Sequence, residues 1–375
     1  MIKKILLSIF ILSLIGSGTY FYFFKDTTKT KKTFFSNGHI QSEITYVNKK
    51  KNGTARYYYE NGTIRLEIPY KDDRIDGLFK QYFQNGTLMV EYMRHNDMTE
   101  GVLKEYYDTG VLKYEEHYLN DLLTQTAKEF YPSGILKQET PYQNGLRNGE
   151  EKLYYETGQL KEVYTYKEDK LEGVSLTYSK SGALKTQVPY VNNTINGTLK
   201  MYYDTKGLQA EFPYINGKIE GVATEYDIDG KKIATYTYQN GLKHGIAKAY
   251  DKNGITLIEM TYDNGKINGV LKEYFKSGKI HSEIPYINNQ KQGVAKVYNE
   301  NSQLTKEVSF QNNQLHGTAK SYSHTGDIVT ELVFNEGIIE NGFSYQKGEK
   351  KPIAEKEMAK IRMLKDVLFY DESQR

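Results

Sequence analysis

The sequence predicts an all-β fold: an elongated single-sheet meander of 12–13 stacked 24-residue β-hairpin repeats, with an N-terminal transmembrane helix and a short C-terminal helix. Three observations predict it. Counting in steps of 24 from Gly53 gives twelve consecutive repeats through Glu340, with no insertion or deletion. Most of the 35 tyrosines and 32 glycines recur at fixed places in that period, which marks a repeat array rather than separate globular domains. A stretch of twenty residues without a charge, Ile5 to Phe24, precedes the array.

The first position of the repeat is Gly in eleven cases, Gln125 being the exception. The sixth is aromatic in all twelve: Tyr58, Tyr82, Tyr106, Phe130, Tyr154, Tyr178, Tyr202, Tyr226, Tyr250, Tyr274, Tyr298 and Tyr322. The tenth is Gly in ten, with Lys206 and Ser302 departing, and the eighteenth is aromatic in eleven, with Arg94 departing. Residues 29–52 fit the same frame as a degenerate leading repeat, with Phe34, Gly38 and Tyr46 in register. The organisation that follows is a membrane segment over 1–25, a linker and degenerate repeat over 26–52, twelve repeats over 53–340, and a C-terminal cap over 341–375.

Each repeat holds two short runs of period-2 character, as in Val102 to Tyr107 and Leu112 to Tyr118. Between them lies a turn such as Glu60-Asn61-Gly62. Either a two-residue type I′ loop or a three-residue loop with a left-handed Gly fits it. The apolar pattern favours the three-residue loop. It sets position 6 opposite position 12 and groups positions 2, 6, 12, 16 and 18 on one side, with 13, 15 and 17 on the other. In the first repeat the apolar side is then Thr54, Tyr58, Ile64, Ile68 and Tyr70. A second connection has Asn at position 20 in nine repeats, where positive φ is cheapest. Two details strain this picture. Pro at position 17 in five repeats implies that pairing fails there, beside the Gly that begins the next repeat. Lys or Arg at position 4, in ten repeats, falls on the side assigned as apolar.

These residues resemble the MORN repeat, in the bacterial variant of the YwqK antitoxin family. The shared pattern is Gly-x-x-Lys-x-Tyr-Tyr-x-x-Gly-x-Leu-x-x-Glu-x-x-Tyr-x-Asn-Gly, matched closely by residues 197–220 and 269–292. His244-Gly245 and His316-Gly317 resemble the His-Gly pair of ordinary MORN repeats. The resemblance implies an elongated antiparallel sheet of hairpins that serves as a scaffold or binding surface, and some relatives are described as antitoxins.

At the N-terminus, Lys3 and Lys4 precede the uncharged stretch, whose twenty residues match a hydrocarbon core about 30 Å thick. A cleaved signal peptide and a retained anchor both fit. Tyr20 to Phe24 extend the apolar run like an interfacial aromatic belt, which favours the anchor. The expected location is a single-pass cell-membrane protein with extracytoplasmic repeats. At the other end, Pro352 is read as the start of a helix through Phe369, with Met358, Ile361, Leu364 and Leu368 on one stripe. It is expected to cap the last sheet edge, or else to bind a partner.

Net charge of +3 over 375 residues offers no basic face for nucleic acid. Zero Cys excludes disulfides and thiolate chemistry. The seven histidines do not fall at metal-ligand spacing, and the Glu at position 15 of nine repeats forms a ladder of equivalent carboxylates, without the asymmetry that acid–base work needs. The expectation is therefore no enzyme and no cofactor or metal. The function read from the sequence is a membrane-tethered scaffold for a protein partner at the cell envelope. An antitoxin or immunity role and envelope lipid or glycan binding are the alternatives. The position-6 aromatics, from Tyr58 to Tyr322, are the candidate interaction surface.

Overall fold

The computed structural model describes residues 26–205 and 207–369. These form 36 strands and one helix, Glu355–Phe369. The chain divides into two compact units, residues 1–111 with 118–121 and residues 112–117 with 122–375. Within each, hairpins pair antiparallel with their neighbours in chain order, so the all-β meander is present. The expected transmembrane helix over 1–25 lies outside the described residues, as does Lys206. Among the described residues no helix is long and apolar enough to cross a membrane.

The repeat beginning at Gly53 shows how sequence sets the hairpin. Strand Gly53–Tyr58 pairs with strand Ile64–Lys71. The turn is the three-residue form: the Tyr59 amide donates to the Thr63 carbonyl at 2.8 Å and the Gly62 amide to the Tyr59 carbonyl at 2.9 Å. Gly62 sits at φ +87°, a conformation nearly free to a residue without Cβ. The second connection is a two-residue turn with both φ positive, as at Asp72 (50°) and Asp73 (70°) or Asn216 (48°) and Gly217 (79°). That is the type I′ geometry matching the twist of the flanking strands.

Register overturns the expected division of faces. Position 6 does oppose position 12, Tyr58 opposite Ile64, but the ladder shifts between Tyr57 and Tyr58 and leaves Arg65 as an extra residue. The bulge at position 13 exchanges the faces of everything after it. Arg56 therefore faces Glu67 and Thr54 faces Pro69, on the side of Tyr58. Ala55 faces Ile68, and Gly53 faces Tyr70, on the opposite side. Positions 16 and 18 thus leave position 6, and positions 15 and 17 join it. The second compact unit repeats the arrangement: Gly245 faces Tyr262, Lys248 faces Glu259, and Tyr250 faces Thr256. The position-4 cation is no anomaly on this face, because its carboxylate stands directly across the ladder.

Pairing between repeats is interrupted where Pro was expected to interrupt it. Tyr70 and Lys71 pair with Ile75 and Arg74, and Leu66 and Glu67 pair with Gln81 and Lys80, but Pro69 lies in the gap. Its carbonyl accepts the Asp76 amide at 3.0 Å. Gly77 adopts φ +130°, and a Cβ there would lie 2.9 Å from Pro69 Cβ.

Residues 28–47 form the leading hairpin with the same shift, Lys32 opposite Glu43 and Phe34 opposite Ile40. At the C-terminus the helix starts later than expected. Pro352 pairs with Phe343 as the last residue of strand Glu349–Pro352, and Glu355 begins the helix. The strand fixes Pro352 in an extended ladder, which displaces the helix start by three residues. Of the expected stripe, Met358 and Ile361 can be placed on the sheet, whereas the side chains of Leu364 and Leu368 lie outside the described ones.

Candidate interaction surface

The candidate aromatics from Tyr58 to Tyr322 are all half-buried, on the face that also carries positions 4 and 15. Several of the tyrosine hydroxyls are engaged by the lattice itself. Tyr82 donates to Glu67 at 2.9 Å, Tyr154 to Glu139 at 2.7 Å, Tyr226 to Glu211 at 3.0 Å and Tyr322 to Glu307 at 2.6 Å. In each case the carboxylate belongs to the preceding repeat. The position-4 cation reaches the same group: Arg56 Nε lies 3.0 Å from Glu67, and Lys200 Nζ lies 3.4 Å from Glu211. Burial, and then the hydrogen bond to a carboxylate, push Tyr82, Tyr154 and Tyr322 up to about 12. Burial opposes ionisation of Glu67, but hydrogen bonds from Arg56 and Tyr82 outweigh it and hold the carboxyl below its ordinary value. This face binds repeat to repeat.

The opposite face is apolar, built from positions 3, 16, 18 and 23. Position 3 is Ala in six repeats, and in five of them it is deeply buried: Ala55, Ala223, Ala247, Ala295 and Ala319 are 0–5% exposed. Position 16 flanks it with larger groups. Tyr236 stands opposite both Ala223 and Ala247, and Met260 opposite Ala247. Position 18 supplies the second aromatic row and pairs with position 23, where cations lie over rings. Lys51 Nζ is 4.7 Å from the Tyr70 centroid, and Lys243 Nζ is 3.8 Å from Tyr236 and 5.4 Å from Tyr262.

Within residues 122–369 this face is covered at one place. Val308, Ala319, Leu332, Phe334 and Ile339 form a buried cluster with Met358 of the C-terminal helix, flanked by Ile353 and Ile361. In preceding repeats, Phe212, Tyr236 and Met260 remain half-exposed. The face is interrupted at Glu151, 7% exposed at a position that is small or apolar in the other repeats. Its carboxylate accepts from Gln138 and Thr140, each at 2.9 Å.

Sequence reading missed positions 3 and 23 as surface-forming. The recurrent small residue at position 3 was a usable signal. Among the described residues no group of three or more His, Asp or Glu is placed to hold a metal ion.

Ten stretches match the family model described as the MORN repeat variant: residues 28–48, 51–72, 75–96, 99–120, 126–144, 147–168, 171–192, 243–264, 267–288 and 291–312. The chain belongs to the MORN repeat variant family. The MORN pattern also continues structurally where that model is silent. Gly221 faces Tyr238 and Tyr226 faces Lys232, while Gly317 faces Phe334 and Tyr322 faces Ile328. Among solved structures, the chain is similar over 86% of its length to TcdB2–TccC3–TEV, at 9% identity and a TM-score of 0.15, covering 21% of that chain. It is similar over the same share to a Photorhabdus luminescens Tc holotoxin pore, at 13% identity and a TM-score of 0.16, covering 18% of that chain. The MORN chain thus spans about a fifth of the length of these solved chains. No curated protein matches it.

Proposed function

We propose that this MORN array is a non-enzymatic scaffold, tethered to the cell membrane by residues 1–25, that presents its sheet to a protein partner outside the cytosol. One observation carries the reading. The two faces of the hairpins differ in what remains to be satisfied. On one, Tyr, Glu and Lys bond one another across repeats; on the other, aromatic and aliphatic side chains of the same partial exposure face outward except beneath the C-terminal helix. Tyr and Phe rings supply contact area at little entropic cost, and Met adapts to an irregular partner surface. The antitoxin reading rests on the YwqK resemblance alone and predicts a toxin reading frame beside the gene.

The test is crosslinking in intact cells followed by purification of the full chain. Recovery of a defined protein, with the repeats cleaved by protease added outside the cell, is the expected result. Absence of any protein partner refutes the scaffold, and repeats that resist external protease while the envelope is intact refute the placement.

A further inference from the structure

The geometry points to a specific occupant for the open part of the apolar face: an acidic amphipathic α-helix of a partner protein, laid across the strands over residues 212–262. This rests on the scaffold reading and names its site. The chain supplies the precedent. Its own helix seats Met358 against Leu332, Phe334 and Ile339, and the trough beneath is floored by Gly342, which stands opposite Leu332. A Cβ on Gly342 would overlap the Met358 thioether, so the knob fills the trough to its floor.

The same construction recurs further back without a helix on it. Ala223 and Ala247 floor two successive troughs on either side of Tyr236, and Met260 walls the second. Both floors are 0–4% exposed, whereas the walls Phe212, Tyr236 and Met260 are half-exposed. Successive troughs lie two strands apart, ~9.6 Å. Side chains seven residues apart on a helix are separated by about 10 Å along its axis. A helix crossing the strands therefore drops knobs at i and i+7 into both troughs.

Charge selects the flank of that helix. Lys243 lies between the Tyr236 and Tyr262 rings at the trough rim, and Lys291 lies 5.4 Å from the Phe310 centroid. A carboxylate on the Lys243 side of the helix meets a cation held over two rings, where opposite charge gains most, whereas Glu225 lies on the same face beside Tyr236 on the other flank and repels one there.

The experiment uses the full chain, whose own helix keeps the last seat occupied, and two labelled synthetic peptides. One is residues 353–369; the other is that peptide carrying Lys356→Glu and Lys360→Glu. Fluorescence anisotropy should show the acidic peptide binding more tightly, with affinity falling as salt rises. Met260→Glu and Lys243→Glu should each weaken it at least about tenfold, and the milder Lys243→Gln should weaken it less. Val222→Glu, at a 55%-exposed position on the opposite face, should leave it unchanged. Binding that ignores both Met260→Glu and Lys243→Glu overturns the proposal, as does equal binding of the two peptides. Sedimentation of a dimer that Met260→Glu dissociates would assign the troughs to a second copy's helix and likewise overturn it. A cellular partner whose crosslinking survives Met260→Glu would leave the scaffold standing and sink this site alone.

Discussion

Gly342→Ala should unseat the C-terminal helix, and Met358→Ala should partly restore what it costs. Gly342 does not have positive φ, so Ala brings no backbone strain there, and the effect is steric. The new methyl would stand 3.0 Å from Leu332 Cδ2 and overlap the Met358 sulfur. Overpacking of that kind costs about 1–3 kcal/mol. Met358 is 3% exposed, and truncating a buried Met costs about 2–4 kcal/mol in lost burial and cavity. In the double variant the methyl enters the space the thioether leaves. The two losses should therefore fall short of their sum by about 1–2 kcal/mol. Amide hydrogen exchange over residues 355–363, with equilibrium denaturation of the full chain, measures both terms. Repeats contact only their neighbours, so protection in the repeat beginning at Gly53 should not change. Additivity within about 0.5 kcal/mol, or a helix whose protection ignores Gly342→Ala, would refute the knob-and-trough account on which the interaction surface rests.

Three further outcomes test the lattice. Tyr82→Phe should cost about 0.5–1.5 kcal/mol and raise the Glu67 carboxyl toward its ordinary value, read by carboxyl NMR titration; an unmoved Glu67 would show that Arg56 alone holds it. Because burial and carboxylate hydrogen bonds raise Tyr82, Tyr154 and Tyr322 from 10.0 to about 12, their contribution to stability is complete below pH 10 and is lost as pH climbs through about 12. Circular dichroism recorded with tyrosinate absorbance should show cooperative loosening in that window, and titration of every tyrosine near pH 10 without structural change would contradict it. Gly77→Ala meets both φ +130° and a 2.9 Å approach to Pro69 Cβ, so it should cost about 2–3 kcal/mol, of which Pro69→Ala relieves only the steric share. Full rescue by Pro69→Ala in thermal denaturation would remove the backbone part of that explanation.

Local features of this chain were legible in its sequence because local chemistry determines them. Gly62 and its equivalents demand a left-handed turn residue and Asn216-Gly217 demands type I′, so turns and meander follow from residues within one repeat; the interruption does not, because the gap at Pro69 recurs unchanged at Thr165 and Thr261. The faces were not legible. They depend on the bulge at position 13, occupied by Arg65, Lys137, Gln209 and Ile233 in different repeats, and no residue type there marks an extra backbone unit. One unmarked residue reversed the parity of positions 15 to 18. The Tyr82–Glu67 bond was hidden for a related reason: it joins residues fifteen apart across a repeat boundary, invisible to a reading confined to one period. Pro352 misled in the other direction. Its suitability for a helix start is real, but pairing with Phe343 outweighs it.

The bulge also settles how a hairpin sheet can hold itself together and still offer something to bind. Had positions 16 and 18 shared a face with positions 2, 6 and 12, the aromatic rows would have competed with the lattice carboxylates for one surface. Parity reversal separates the two tasks. Tyr, Glu and Lys fasten each repeat to the one before it on one side. Where position 3 is Ala, as at Ala223 and Ala247, the other side offers a small floor between large walls at position 16, a relief like the Gly342 trough that Met358 fills. Glu151 shows the limit of that relief: with Gln138 and Thr140 fixed on its carboxylate, the floor there is polar, and an apolar knob lowered onto it would strand a desolvated charge. An occupant that tolerates Ala223 and Ala247 is therefore excluded one stretch further back, and a surface of near-equivalent repeats acquires a boundary.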